Sequence, residues 1–343
     1  MKSLKISNFH IGTSFPVFII AEAGINHNGS LTIAKKMVDV AKKAGVSCIK
    51  FQTHIADQEM IKTNIRPGKI SRKTLWNIIK NCELSETEEL KLQKYCKKEK
   101  ILFLSTPFSI EAVQRLEKLR IPAYKIGSGE LTNLPFLETV AKTGKPIILS
   151  TGMSTISEIR SAVKIFKKYK NLFALLQTTS TYPSDYSEIK LGMIEKLQDM
   201  FDVPVGLSDH SIGIYTAIAS VAKGASIIEK HFTLDKKMSG PDQKISLDPS
   251  ELNELVIGCN AVKQALGDSK FILKNEKPIR KFAEASIVTT KTIEKGEKFT
   301  LENIGTKRPG TGDLHANKFY EIIGKNAKKS IKPNKQLTWK DIV

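Results

Sequence analysis

Val205-Gly-Leu-Ser-Asp-His210 and Ile227-Ile-Glu-Lys-His231 are two short, largely apolar runs, and each ends in a histidine. Six further runs share this plan of an apolar body and a polar tip: Val17 to Glu22, Cys48 to Gln52, Ile101 to Thr106, Ala123 to Ser128, Pro146 to Thr151 and Phe173 to Thr179. With Pro204 to His210 and Ser226 to His231 they make eight. Continuous apolar runs of this length suit parallel strands buried on both faces, where alternation would instead mark a sheet with one wet face.

Helix signals fill the gaps between the runs. Ser30 precedes Leu31, Ala34, Val38 and Ala41 at helical spacing, and Gly45 follows as a stop; Ser85 with Glu88, Thr155 with Glu158, and Asp248 with Pro249 and Glu251 read as helix starts. The last helix carries Leu255, Val256, Cys259, Val262 and Ala265 and stops at Gly267. Eight strands alternating with helices predict a (β/α)8 TIM barrel over residues 1–272. An open doubly wound sheet is the alternative, but no G-x-G-x-x-G follows the first strand. Residues 273–283 read as a polar, lysine-rich linker. Residues 284–343 read as a small β-rich domain, with a tight hairpin at Ile293-Glu-Lys-Gly-Glu297 and turn-rich stops at Lys307-Arg-Pro-Gly310 and Ile323-Gly-Lys325. A core of that size is thin, so packing against another surface is expected.

Composition removes several classes. No stretch approaches the roughly 18 apolar residues of a membrane span. Phe15 to Ala21 runs into Glu22 without a cleavage pattern, so no signal peptide is expected. Cys48, Cys82, Cys96 and Cys259 lack zinc-type spacing and point to a reducing, cytoplasmic setting. The net charge of +19 comes almost wholly from lysines spread along amphipathic helices, a solvated surface that draws in anions rather than a nucleic-acid stripe.

In such a barrel, reacting groups sit at the C-terminal ends of strands, so the tips should converge. They are Glu22, Asn26, Lys50, Gln52, Thr106, Lys125, Ser128, Glu130, Ser150, Tyr182, Asp209, His210 and His231. Lysines with hydroxyls bind phosphate and carboxylate, while two imidazoles hold a divalent metal with open positions. Lys50 and Lys125 interrupt apolar strands, where an unpaired ammonium is costly. A structural ion pair to Glu22 or Glu130 is the plain alternative to a substrate role. Asp242, in the Ser239-Gly-Pro-Asp242 turn, is placed to reach back over the same opening.

Taken together, Gly24-Ile-Asn-His-Asn-Gly-Ser30, Lys50-Phe-Gln-Thr53, Leu104-Ser-Thr-Pro-Phe108, Tyr124-Lys-Ile-Gly-Ser-Gly-Glu130, Leu149-Ser-Thr-Gly-Met153, Gly206-Leu-Ser-Asp-His210, Ile228-Glu-Lys-His-Phe-Thr233 and Ser239-Gly-Pro-Asp242 resemble the sialic acid (N-acetylneuraminate) synthase family. The tail resembles its antifreeze-like (SAF) domain. The resemblance implies condensation of phosphoenolpyruvate with an N-acylated hexosamine by a domain-swapped homodimer, whose SAF domain offers Arg308 to the partner's site. It implies Glu22, Lys50, Lys125, Asp242 and Arg308 as catalytic residues. Lys50, Thr106, Lys125, Ser128, Ser150, Ser180 and Ser208 would hold phosphoenolpyruvate, and Gln52, Tyr182, Asp242 and Arg308 the sugar. His210 and His231 would bind a divalent ion, Mn2+ first, with Mg2+ or Co2+ as alternatives. Ser180 stands where many members carry asparagine, and Lys69 where related sequences often have a sugar-contacting asparagine, which leaves the hexosamine open. The Ser-Gly-Pro-Asp turn and the Gly-Ile-Asn-His-Asn-Gly opening favour an N-acetylneuraminate or legionaminate type over pseudaminate. Other readings are a different phosphoenolpyruvate-dependent 3-deoxy sugar acid synthase, or a non-catalytic carbohydrate- or nucleic-acid-binding barrel.

Overall fold

The computed structural model describes residues 3–66 and 73–343, in two compact units, 1–267 and 268–343. Lys69 lies outside the described residues.

The first unit opens with a hairpin of β1 (Leu4–Ile6) and β2 (Phe9–Ile11), which the sequence reading did not include. Eight strands follow: β3 (Phe18–Gly24), β4 (Cys48–Thr53), β5 (Leu102–Pro107), β6 (Tyr124–Ile126), β7 (Ile147–Ser150), β8 (Phe173–Thr178), β9 (Val205–Asp209) and β10 (Ile227–His231). All eight runs became strands, and their hydrogen-bonded order is β5-β4-β3-β10-β9-β8-β7-β6, parallel throughout. At the ends of that order β5 and β6 lie against each other, and the ring is a nearly closed (β/α)8 barrel.

The helix signals work as read. Ser85 with Glu88, Thr155 with Glu158 and Asp248 with Glu251 each form a capping box, and Gly45 ends the Leu31–Ala44 helix at φ 81°. Between strands and helices lies the larger core, including Ile19, Ile49, Leu149, Leu175 and Leu207. A second core fills the ring's lower interior: Phe18, Ile20, Cys48, Leu104, Ile148, Ala174, Leu176 and Ile227, with Leu4, Ile6 and Ile11 of the hairpin packed among them. The alternation of strand side chains therefore decides the site, because residues two further along each strand point into the same ring one layer higher.

Glu89 is one of several buried charged groups outside that ring. Glu89 pairs with Arg115 at 3.3 Å, and burial pushes its carboxyl up to about 7 from 4.5. A carboxyl raised on folding stabilises the fold fully below its unfolded pKa, and that stability is lost as pH rises through the folded value. Between about pH 4.5 and 7 the cost is about 3 kcal/mol, so Glu89→Gln is expected to flatten the melting temperature against pH in that window.

In the second unit a helix, Lys277–Ala283, occupies most of the stretch read as a linker. Antiparallel β11 (Ser286–Thr289) and β12 (Ile304–Lys307) follow. The stretch Ile293–Glu297 is not the hairpin that the sequence suggests: Ile293 bridges Ile331 and Lys298 bridges Asn326, so the Gly296 turn joins segments that pair elsewhere rather than with each other. Nine buried apolar residues, among them Ile287, Phe299, Ile304 and Leu337, give this unit a core of its own.

Candidate active site

Following the inward face of each strand upward, apolar side chains give way to polar ones: Phe18-Ile20-Glu22, Cys48-Lys50-Gln52, Leu104-Thr106, Ala123-Lys125, Ile148-Ser150, Leu176-Thr178, Gly206-Ser208-His210 and Ile227-Glu229-His231. These tips line one cavity of about 250 Å³ at the C-terminal mouth. Twelve of the residues singled out from sequence meet there: Glu22, Lys50, Gln52, Thr106, Lys125, Ser128, Ser150, Ser180, Tyr182, Ser208, His210 and His231.

Four buried charges form its floor. Lys50 Nζ lies 2.7 Å from Glu22 Oε2 and 3.8 Å from Glu229 Oε2, and donates to Thr106 Oγ1 at 3.0 Å. Lys125 Nζ lies 3.3 Å from Glu229 Oε1 and donates to Ser150 Oγ at 2.7 Å. Ser208 Oγ donates to Glu229 Oε1 at 2.8 Å. Burial alone would push the Glu229 carboxyl up, but Lys125 and Lys50 outweigh it and hold the group at about 2. Glu22 goes the other way: burial raises it, Glu229 adds to the rise, and Lys50 opposes. Two carboxylates that share Lys50 are thus driven in opposite directions, Glu229 downward and Glu22 upward.

Glu229 is the residue missed from sequence. It stands two positions before His231, so strand alternation puts it on the same inward face, and that spacing was the available signal. It is also the partner of Lys125 that had been sought in Glu130, whose carboxylate accepts from Asn133.

The two histidines cap the floor, with ring centroids 5.6 Å apart. His210 Nδ1 bonds the Thr179 carbonyl at 2.6 Å, which leaves Nε2 as an acceptor facing the Tyr182 hydroxyl at 2.9 Å. His231 Nδ1 is buried without a hydrogen-bond partner, 3.9 Å from Asp242 Oδ2. Burial lowers both imidazoles, His231 to about 4 with His210 and Lys50 adding to the shift, so both are neutral near pH 7. Among the described residues no group of three or more His, Cys, Asp or Glu side chains is set to hold a metal ion. Two neutral imidazoles, one anchored from behind by a carbonyl and one with an orphaned ring nitrogen, nonetheless fit a divalent ion whose other positions fall to water and substrate.

Three strand-end residues have other work. Asn26 donates to the Phe232 carbonyl and Ser246 Oγ, tying the loop after β3 to the loop after β10. Asp209 points outward and pairs with buried Lys230 at 2.8 Å, and Glu130 lies in the short turn Ser128–Glu130. Arg308 belongs to the second unit, exposed just after β12.

The fold and site define a (β/α)8 barrel of the synthase type, with two buried lysines beside two imidazoles at its C-terminal mouth. The chain belongs to the NeuB family, whose profile matches residues 37–271, and residues 284–343 match the SAF domain. It is 42% identical to the N,N'-diacetyllegionaminic acid synthase of Campylobacter jejuni, over 92% of this chain and 96% of that one. It is 38% identical to the pseudaminic acid synthase of the same organism, over 96% and 97%. The crystal structure of N-acetylneuraminic acid (sialic acid) synthetase from Leptospira borgpetersenii, in complex with citrate, superimposes with a TM-score of 0.74 at 38% identity, covering 81% of this chain and 95% of that one. These relatives are synthases of nonulosonic acids. Among the described residues no helix is long and apolar enough to cross a membrane.

Proposed function

We propose that this chain condenses phosphoenolpyruvate with N-acetylmannosamine or its 2,4-diacetamido-6-deoxy analogue, giving N-acetylneuraminate or legionaminate and phosphate. The observation that carries this reading is the juxtaposition, in one cavity, of two buried ammonium groups with hydroxyls and two neutral imidazoles. Lys50 and Lys125, with Thr106, Ser128, Ser150, Ser180 and Ser208, receive the phosphate and carboxylate of phosphoenolpyruvate, and charge-assisted bonds to such anions are the strong ones. Gln52, Tyr182 and Asp242 orient the hexosamine. C3 of phosphoenolpyruvate attacks the open-chain aldehyde carbon, and the aldehyde oxygen takes a proton from the raised Glu22 carboxyl. C2, left oxocarbenium-like, is stabilised by Glu22, which also directs water to it and accepts a proton from that water. The hydrated centre then expels phosphate by cleavage of its C2–O bond, as the added hydroxyl becomes the C2 carbonyl and its proton leaves with the phosphate. A divalent ion, Mn2+ first and Mg2+ or Co2+ next, would be held by His210 and His231 and would polarise the aldehyde oxygen when bound.

The deciding experiment measures phosphate release from phosphoenolpyruvate and Mn2+ with N-acetylmannosamine, its 6-phosphate and the 2,4-diacetamido-6-deoxy analogue. Release with an unphosphorylated hexosamine is expected. No release with any of the three would overturn the reading. We place the enzyme in the cytoplasm, in keeping with four free, buried thiols.

Gly152 is part of the anion pocket's shape. A Cβ there would stand 2.2 Å from Ser180 Oγ and 2.8 Å from Ser128 Oγ, while its own N–H donates to Ser128 Oγ at 3.0 Å. Gly152→Ala is expected to raise KM for phosphoenolpyruvate about tenfold, the loss of roughly one hydrogen bond, with the hexosamine KM unchanged. We also propose a homodimer in which the SAF domain lends Arg308 to the partner's site. Cleavage near residue 280 is then expected to collapse activity, and Arg308→Ala to weaken hexosamine use alone; a fully active isolated barrel would refute the exchange.

A further inference from the structure

Behind Gln52 stands a second tier of side chains to which no role has been given. Gln52 Nε2 donates to Glu22 Oε1 at 2.8 Å, and its other end, Oε1, faces His54 Nε2 at 3.0 Å. His54 Nδ1 faces Glu59 Oε2 at 2.8 Å and Oε1 at 3.1 Å. Nδ1 faces the Glu59 carboxylate and Nε2 faces the Gln52 amide oxygen, so each ring nitrogen stands opposite an acceptor. The ring is stacked on Phe108, with centroids 4.4 Å apart and planes at 15°. His54 and Glu59 side chains are 3% and 4% exposed, and a backbone bond from Ala56 N–H to the Glu83 carboxylate ties the short Ala56–Glu59 helix in place. This is a built and buried support, not a surface contact.

An amide is nearly symmetric in shape but opposite in hydrogen-bonding sense at its two ends. Which end meets Glu22 is therefore set by whatever holds the other end. With Oε1 held against His54 Nε2, the NH2 group faces Glu22; a flipped amide would set its oxygen against the carboxylate. The orientation matters because these groups converge on one spot. A carbon built on Gly24 would lie 3.4 Å from Gln52 Nε2, 3.4 Å from Glu22 Oε1 and 3.6 Å from His231 Cε1.

We propose that His54, anchored by Glu59, is a positioning residue that locks the Gln52 amide with its NH2 toward Glu22, so that hexosamine and water meet a pre-set donor and carboxylate. The inference rests on the reading of this site as a hexosamine-condensing one. Orientation secured before substrate arrives is what such outer supports contribute to rate.

Steady-state phosphate release, with phosphoenolpyruvate and hexosamine varied separately in the intact chain, tests it. His54→Phe keeps a ring over Phe108 but removes both hydrogen bonds; kcat should fall about 10- to 100-fold, as is typical when a supporting partner is lost. The hexosamine KM should rise and the phosphoenolpyruvate KM stay at the wild-type value. His54→Gln restores a donor toward Gln52 and should recover most of kcat. Glu59→Leu should give an intermediate loss with the same KM pattern, and it carries the test if His54→Phe does not fold. Unchanged kcat and hexosamine KM in the variant that folds would overturn the proposal. So would equal losses in His54→Phe and His54→Gln with the phosphoenolpyruvate KM rising in step, the sign of a merely structural role. A wild-type chain without hexosamine-dependent release sinks the functional reading and this inference with it, whereas an active wild type with an indifferent His54→Phe sinks the positioning role alone.

Discussion

Lys125→Met is expected to lower kcat/KM for phosphoenolpyruvate about a thousandfold, equivalent to about 4 kcal/mol, because it removes charge-assisted bonds to the anion and unbalances the buried floor. Glu229 lies 3.3 Å from Lys125 and 3.8 Å from Lys50, so the substitution takes away its nearer counter-ion. Breaking one member of a buried pair leaves a charge in low dielectric, and a stability loss of about 3 kcal/mol should accompany the loss of activity. The two effects can be separated. Adding Glu229→Gln to Lys125→Met removes the stranded charge and should restore most of the melting temperature while leaving activity lost. If the double variant melts no higher than the single one, Glu229 is not the charge that Lys125 balances. If the single variant still binds phosphoenolpyruvate as the wild type does, the floor is not the anion site.

His231→Ala and His210→Ala should each reduce turnover by at least about a thousandfold, in line with removing an electrophilic contact from a reacting oxygen. The readout independent of turnover is calorimetry with Mn2+ alone: wild type should bind, and either alanine variant should not. Phosphoenolpyruvate affinity, measured without metal, should hold, because Lys50 and Lys125 bond to neither imidazole. The orphaned nitrogen of His231 sharpens this expectation, since a buried imidazole nitrogen without a partner contributes nothing to stability through hydrogen bonding. Little change in melting temperature should therefore come from that atom. Equal Mn2+ binding in wild type and in both variants would end the assignment of these two histidines.

The barrel was legible because its signals are local and repeated. Continuous apolar runs such as Phe173 to Leu176 and reciprocal caps such as Ser85 with Glu88 each name an element without reference to any other. The hairpin of Leu4–Ile6 and Phe9–Ile11 was not, because two three-residue strands carry too little pattern to rise above loop composition, and only the open lower end of the ring gives them a purpose. In the site, residues at strand tips were found by type. Glu229 was overlooked one layer beneath, where a carboxylate inside a strand looks like a charge to be explained away until alternation is followed from His231 backward. The partner of Lys125 could not be chosen from sequence, because Glu130 and Glu229 are both carboxylates and only β10, between β3 and β9, brings one of them into the ring. His54 and Glu59 act through Gln52, and indirect support of that kind leaves no mark in residue spacing.

The ring's strand order begins at β5 and ends at β6, and among the described residues no ladder of backbone bonds like those of the other seven pairs joins these two neighbours. Lys50 and Thr106 stand on one bank of this seam, Lys125 and Ser150 on the other. A doubly charged guest gripped by both banks would act as a clasp, supplying through side chains the closure that the peptide backbone leaves loose. Occupancy and rigidity would then rise together, and the empty barrel would be the one that breathes, along a line that runs straight into its own floor.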